Sequence, residues 1–284
     1  MLDVNEILAI VVLYNSKLNG SKTILSLNKS LELSDNFLDV LVYDNSPFKM
    51  EERKDFLYKR LNIHYVHDST NSGVSKAYNY GASYAKKISG KKWVLLLDQD
   101  TTFSTDLFFK YSEALKNNPD IKLFAPILMT ANNIIFSPCR FYFGRGFPLK
   151  KVFAGLMTFH NISPVNSGML IDLDEFFCAG MYNEAIKLDF SDFQFIERFK
   201  KKQSKFVIVD SVAQQDFSNN ETDIHTLNKR YSFFCAGAKN FEKLNLFDDV
   251  KFLLVAFMRA VTLSCRTKSL IYFQTFAKFY LNSA

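Results

Sequence analysis

Residues 92–102 read KWVLLLDQDTT, an apolar run from Val94 to Leu97 that stops at two aspartates separated by one glutamine. A continuous apolar run this short, bounded by polar residues, reads as a strand buried on both faces. The same pattern stands upstream in ILAIVVLYN (7–15), LDVLVYDNS (38–46) and the shorter NIHYVH (62–67). Helical spacing separates these runs at 21–33 and at GVSKAYNYGASYAKK (73–87), where Ala77, Tyr80 and Tyr84 fall on one side. Strand and helix alternating at this spacing predict an α/β fold with a mostly parallel central sheet and helices on both faces. Ligands of such sheets bind beyond the carboxyl ends of the strands. Tyr14, Asn15, Asp44, Asn45, Asp98, Gln99 and Asp100 should therefore meet on one rim.

Past residue 120 the pattern loosens. IKLFAPIL (121–128), VNSGMLID (165–172) and KFVIVD (205–210) read as strands, and 173–180 and 188–202 as helices. The stretch 129–164, rich in Phe, Pro and Gly, reads as loop or hairpin, and from about 224 onward the pattern is helical.

The 284 residues suit one large α/β domain or a domain with an appendage, and 48% apolar residues exclude wholesale disorder. A net charge of +6 suits anionic substrates or an anionic lipid surface without implying nucleic acid. Cys139, Cys178, Cys235 and Cys265 lie far apart and form no CxxC pair, which predicts reduced thiols of a cytosolic protein. The N-terminal MLDVNEILAIVVLYN carries acids and no cleavage site, so it reads as a first strand and not a signal peptide.

Three stretches could carry chemistry. Asp98 and Asp100 can both approach a divalent cation such as Mg²⁺ or Mn²⁺, the alternative being a solvated turn. In NSGVSKAYNYG (71–81), Gly73 before a helix permits a ligand to approach free N–H groups, with Lys76 adding charge; Asn71 or Ser72 as a helix cap is the competing use. In LDFSDFQFIERFKK (188–201), Asp189 and Asp192 are three apart and should share a helix face beside Phe190, Phe193 and Ile196. A carboxylate with a raised pKa there can act as a general base; capping is the competing use, and the one read for Asp189. The four histidines show no metal spacing, and neither G-x-S-x-G nor a P-loop occurs. In the segment 250–281, Lys251, Arg259 and Arg266 fall near one helical face. That face suits either an anionic membrane surface or packing on the domain or a homodimer partner. No stretch there reaches the roughly 18 apolar residues of a spanning helix.

In order, VVLYN, VYDNS, NSGVSKAYNYG, LLLDQD, NSGMLI and DFSDFQFIER resemble family 2 glycosyltransferases of the GT-A fold, over roughly residues 5–215. The LLLDQD form is most similar to bacterial rhamnosyltransferase-like members. The resemblance implies a Rossmann-like GT-A domain over 1–220, followed by a helical region over 221–284 for membrane association or oligomerisation. It implies inverting transfer of a sugar from a UDP- or dTDP-linked donor, hexosyl, rhamnosyl or galactofuranosyl, to a hydroxyl of a lipid-linked saccharide. That chemistry belongs to bacterial surface polysaccharide synthesis at the inner face of the cell membrane, with no nucleic acid partner. Carried over, Tyr14, Asn15 and Asp44 would line the nucleoside pocket, with Asp44 reaching the base, and Asn71 and Lys76 would form a second nucleotide-contacting segment. Asp98, Gln99 and Asp100 would form the D-x-D, Asp100 on Mn²⁺ or Mg²⁺ and Asp98 on ribose or metal water. Asp192 would be the general base, with Ser167 and Gly168 beside the reacting sugar. Two departures stand out. Where many members place a histidine as a further metal ligand, this chain has SVAQQDFS, leaving Gln215 or Asp216; where they place a second acid after the base, it has Gln194. A catalytically weak nucleotide-sugar-binding or scaffolding subunit on the same fold is the alternative.

Overall fold

The computed structural model describes residues 3–32, 34–49, 58–215 and 222–282. Strand β1 (Ile7–Leu13) is buried along its whole length because helices cover both sheet faces. Parallel pairing joins it to β2 (Leu38–Asp44), which pairs with β3 (Leu61–His67), and on its other side to β4 (Trp93–Asp98). Helices α1 (Lys22–Ser30) and α2 (Val74–Ala85) lie between these strands in the chain. The α2 face turned to the sheet differs from the expected one: Ala77, Tyr78, Ala82 and Ala85 are buried, while Tyr80 is exposed. Small residues allow a close approach there, since a Cβ on Gly81 would stand 2.6 Å from Ile10.

A short β5 (Thr101–Thr102), α3 (Leu107–Asn117) and β6 (Leu123–Met129) follow. The loosely patterned region is mostly hairpin: β7 (Ile135–Ser137), β8 (Cys139–Tyr142), β9 (Arg145–Phe147), β10 (Gly155–Thr158) and β11 (Ile162–Ser163). Of these, β8, β9 and β11 form a separate three-stranded sheet. Next come β12 (Met169–Asp172), α4 (Leu173–Cys178), α5 (Ser191–Phe199) and β13 (Lys205–Gln215). The main sheet runs β10-β13-β6-β12-β4-β1-β2-β3. It is mostly parallel through this centre, with β12 inserted antiparallel between β4 and β6. Strand β13 outruns its expected end by five residues, and its last residue, Gln215, pairs with Thr101. That register sets Gln215 beside the aspartate pair.

The final helices are α6 (Ile224–Asn240), α7 (Leu246–Thr267) and α8 (Ile271–Phe276). Their apolar core takes in Ile186 and Phe190 from the segment before α5, so they pack onto the sheet-bearing part of the chain. Cys139 and Cys235 are buried, Cys178 and Cys265 exposed, and all four are free thiols.

Candidate active site

The aspartate pair ends β4 at the centre of the sheet, and its two carboxylates converge. Gln215 Nε2 donates to Asp98 Oδ2 at 3.1 Å and to Asp100 Oδ1 at 3.0 Å. Gln215 Oε1 is buried without a hydrogen-bond partner. Burial pushes the Asp98 carboxyl up, while its bonds from Gln215 and the Tyr78 hydroxyl, the latter at 3.1 Å, pull it back. Ser167 lies beneath, accepting the Asp98 N–H at 3.3 Å and sharing a 2.7 Å hydroxyl contact with Thr101. Gly168, at φ 87°, turns the chain there, where a Cβ would stand 2.5 Å from Pro126. Gln99 spends its amide on the neighbouring strand end: Oε1 accepts the Tyr14 N–H at 2.8 Å and Nε2 donates to the Tyr14 carbonyl at 3.2 Å. Gln99 therefore locks the ends of β1 and β4 together.

A cleft of about 480 Å³ opens at this rim. Tyr14, Asn45, Asn71, Asp98, Gln99, Asp100 and Gln215 line it. Asn15, Asp44, Lys76, Ser167 and Gly168 are not part of its lining. Asp44 is fully buried and accepts from the Tyr65 hydroxyl and, at 2.9 Å, from the Ser46 N–H. The next residue, Asn45, faces the cleft instead, with its Oδ1 buried and unpartnered. Asn15, at φ 51°, donates its N–H to Ser46 Oγ at 2.7 Å and thereby ties the β1 and β2 ends. Lys76 is exposed. Asp216 lies outside the described residues.

At the start of α2 neither Asn71 nor Ser72 caps the helix, while Asn71, Gly73 and Val74 line the cleft. Gly73 is the residue at the helix N-terminus, with no side-chain cap, and the Val74 N–H donates to the Lys187 carbonyl at 2.8 Å. Ser75 Oγ donates to the carbonyl of Ile186. The Val74 N–H is thus taken by the chain itself, and Gly73 lets that chain approach.

The segment 186–192 also differs from expectation. Helix α5 begins at Ser191, because Phe190 adopts φ 74° as its N-terminal residue and no side chain caps it. Asp189 therefore precedes the helix, does not cap it and does not share a helix face with Asp192. Its Oδ2 is buried without a hydrogen-bond partner, and its carboxyl is pushed up by burial and pulled back by the charges of Arg230 and Arg259. Asp192, half-buried, is raised to about 7, first by desolvation and then by the charges of Asp98 and Asp189, against the Phe193 N–H that binds it at 2.8 Å. Asp192 does not line the cleft.

Helix α6, which carries no motif legible in the sequence, walls the cleft with Thr226, Lys229, Arg230 and Phe233; Lys187 and Leu188 add to it. The only sequence signal was the adjacent Lys229–Arg230 pair on a helical pattern. Gln194, where the family resemblance implies a second acid, is buried and its Oε1 accepts the Glu242 N–H at 2.6 Å. Arg198 pairs with Glu242 and donates to the carbonyls of Gly180 and Met181 at 2.8 and 2.7 Å. Both side chains fasten the helical region to α5.

The expected basic face of the C-terminal helices is not presented as one surface. Lys251 pairs with Asp248, and Arg259 is half-buried towards Asp189. What α7 exposes is an apolar stripe: Leu246, Phe247, Val250, Leu254, Phe257 and Met258. Among the described residues no helix is long and apolar enough to cross a membrane.

A mostly parallel sheet whose central strand ends in D-x-D beside a cleft at the strand ends is the GT-A architecture. Residues 8–171, more than half of the chain, match the model of glycosyl transferase family 2, and the chain belongs to that family. The dTDP-rhamnosyl transferase RfbF of Shigella flexneri is 24% identical over 190 residues, covering 66% of this chain and 61% of that protein. The chain thus spans less than two thirds of that relative's length. Among solved structures, S. aureus TarS 1–349 in complex with UDP superposes with a TM-score of 0.55 at 15% identity, over 87% of this chain and 70% of that one. GalNAc-T7 with UDP, GalNAc and Mn²⁺ gives 0.56 at 12% identity, over 91% and 57%. At these identities the likeness is one of fold.

Proposed function

We propose that this protein is an inverting glycosyltransferase that moves a sugar from a nucleotide-diphosphate donor to a hydroxyl of a lipid-linked saccharide. The observation that carries this reading is the cleft at the strand ends, where the Asp98 and Asp100 carboxylates converge on the Gln215 amide; burial and then the charges of Asp98 and Asp189 push the Asp192 carboxyl up to about 7. A carboxylate poised there can take the acceptor's proton as its oxygen attacks the anomeric carbon opposite the leaving diphosphate. A single displacement of that kind inverts the centre and needs no covalent intermediate. The names of the relatives support the donor: RfbF is a dTDP-rhamnosyl transferase, and TarS and GalNAc-T7 were solved with UDP. A UDP- or dTDP-linked hexose, rhamnose or galactofuranose fits this reading.

Asp98 and Asp100 suit a divalent cation. Their carboxylates already share one donor, the Gln215 amide, whose own oxygen lacks a partner. Turned end for end, that amide would offer a third hard oxygen, the donor type Mg²⁺ and Mn²⁺ prefer. Gln215, whose amide already lies between the two aspartates, is the ligand we assign beside them. When bound, the cation would neutralise charge developing on the leaving diphosphate.

Titration calorimetry of UDP and dTDP, with Mn²⁺ or Mg²⁺, tests the donor and the metal together. Binding of one nucleotide is expected, weakened at least about tenfold by chelation or by Asp100→Ala. Failure of both nucleotides to bind would overturn the reading. The exposed stripe of α7 supports peripheral contact with the inner face of the membrane, where a lipid-linked acceptor resides. Flotation with phosphatidylglycerol vesicles is expected for the wild type and lost in Leu254→Asp/Phe257→Asp. A wild type that ignores vesicles but runs as a dimer by light scattering assigns the stripe to a second copy.

A further inference from the structure

The cleft is lined by two kinds of charge from different parts of the chain. Asp98 and Asp100 come from the end of β4, whereas Lys187 comes from the segment before α5 and Lys229 and Arg230 from α6. A divalent cation on the two aspartates leaves that pair with no net charge. A departing nucleoside diphosphate carries about three negative charges, one on the inner phosphate and nearly two on the terminal one. The three remaining charged groups of the lining are all cations. Helix α6 is held firmly enough to aim Lys229 and Arg230. A Cβ on Gly237 would stand 2.6 Å from the Asp189 carbonyl, so the helix backbone lies directly on that segment. The buried Asp189 carboxyl attracts Arg230, two turns upstream of Gly237. Beyond the helix, Gln194 Oε1 accepts the Glu242 N–H at 2.6 Å.

We propose that Arg230, with Lys229 and Lys187, is the clamp for the donor's diphosphate, so that the C-terminal helices complete the donor site. The proposal rests on the nucleotide-sugar reading above and goes further by assigning the leaving group's charge to α6. Arg is suited to the task because its fork can bind two phosphate oxygens at once.

The test is the ratio of diphosphate to monophosphate affinity, measured by calorimetry with Mn²⁺ for UDP against UMP and for dTDP against dTMP. Arg230→Gln is expected to weaken the diphosphate about tenfold or more, as loss of a charged hydrogen bond does, and the monophosphate less than about threefold. Arg230→Lys should recover part of the loss. Lys229 is exposed, so Lys229→Gln should fold normally and move the ratio in the same direction. A wild type that binds diphosphate while both Gln variants keep its ratio would overturn the clamp. A wild type that binds neither nucleotide would overturn the donor reading itself.

Discussion

Asp192→Asn is expected to lower turnover on the order of 10²–10⁴-fold, the usual worth of a positioned general base, while leaving donor affinity nearly unchanged. The same substitution should stabilise the fold at alkaline pH, and the sign follows from the carboxyl's environment. Burial pushes its native value up to about 7, from the 3.8 of a free aspartate. Between those limits the unfolded chain has lost the proton that the folded chain retains, so wild-type stability falls as pH rises through this window. Above about 7 the penalty is complete, at most about 4 kcal/mol for a shift of that size. Asn carries no such penalty. Its melting temperature should therefore match that of the wild type near pH 4 and exceed it at pH 8. The pH profile of wild-type kcat/KM should show an acid limb near 7, since only the ionised carboxylate accepts a proton. Unchanged turnover in the variant would remove Asp192 from the mechanism; lost donor binding would make it a binding group.

The parts of this site legible in the sequence are those set by double burial. Strands β1, β2 and β4 are covered on both faces, so each appears as a continuous apolar run ending in polar residues, and the rim follows. The end of β13 was hidden for a physical reason. Beyond Asp210 its buried positions are Ser211 and Ala213, while Val212 is exposed. Small and polar residues on the inner side give no hydrophobic alternation, so the strand seemed to stop five residues early and Gln215 was left without a place. The start of α5 was hidden by backbone conformation. Phe190 at φ 74° interrupts a segment whose spacing reads as helix, and nothing in a phenylalanine signals the left-handed region. Asp44, expected to reach the base, turns inward, its carboxylate engaged by Tyr65 and Ser46, and Asn45 faces the cleft beside it. The wall from α6 was illegible because it comes from a helix remote in sequence, placed by packing alone.

The 186–190 segment also makes the second large prediction, because two glycines grip it from opposite elements. Gly73 receives the Lys187 backbone: a Cβ there would stand 2.3 Å from its carbonyl oxygen and 2.6 Å from its Cα. Gly73 also sits at φ 97°, where an L side chain is strained in any case. Gly73→Ala combines backbone strain with overpacking and should cost roughly 3–5 kcal/mol. Gly237→Ala meets the Asp189 carbonyl at 2.6 Å but keeps a helical backbone. Its overpacking, about 1–3 kcal/mol, is partly offset by the gain of about 1 kcal/mol in helix propensity. Urea unfolding should therefore rank Gly73→Ala well below Gly237→Ala and the wild type. Both variants should lose activity beyond their loss of stability, since shifting this segment moves Lys187 at the cleft and Asp192 just after it. Equal stability of the two variants would mean that the Lys187 carbonyl can leave the α2 terminus freely. The contact would then be incidental to the placement of the base, and the route from sheet to Asp192 would have to run through α5 and its ties to Glu242 alone.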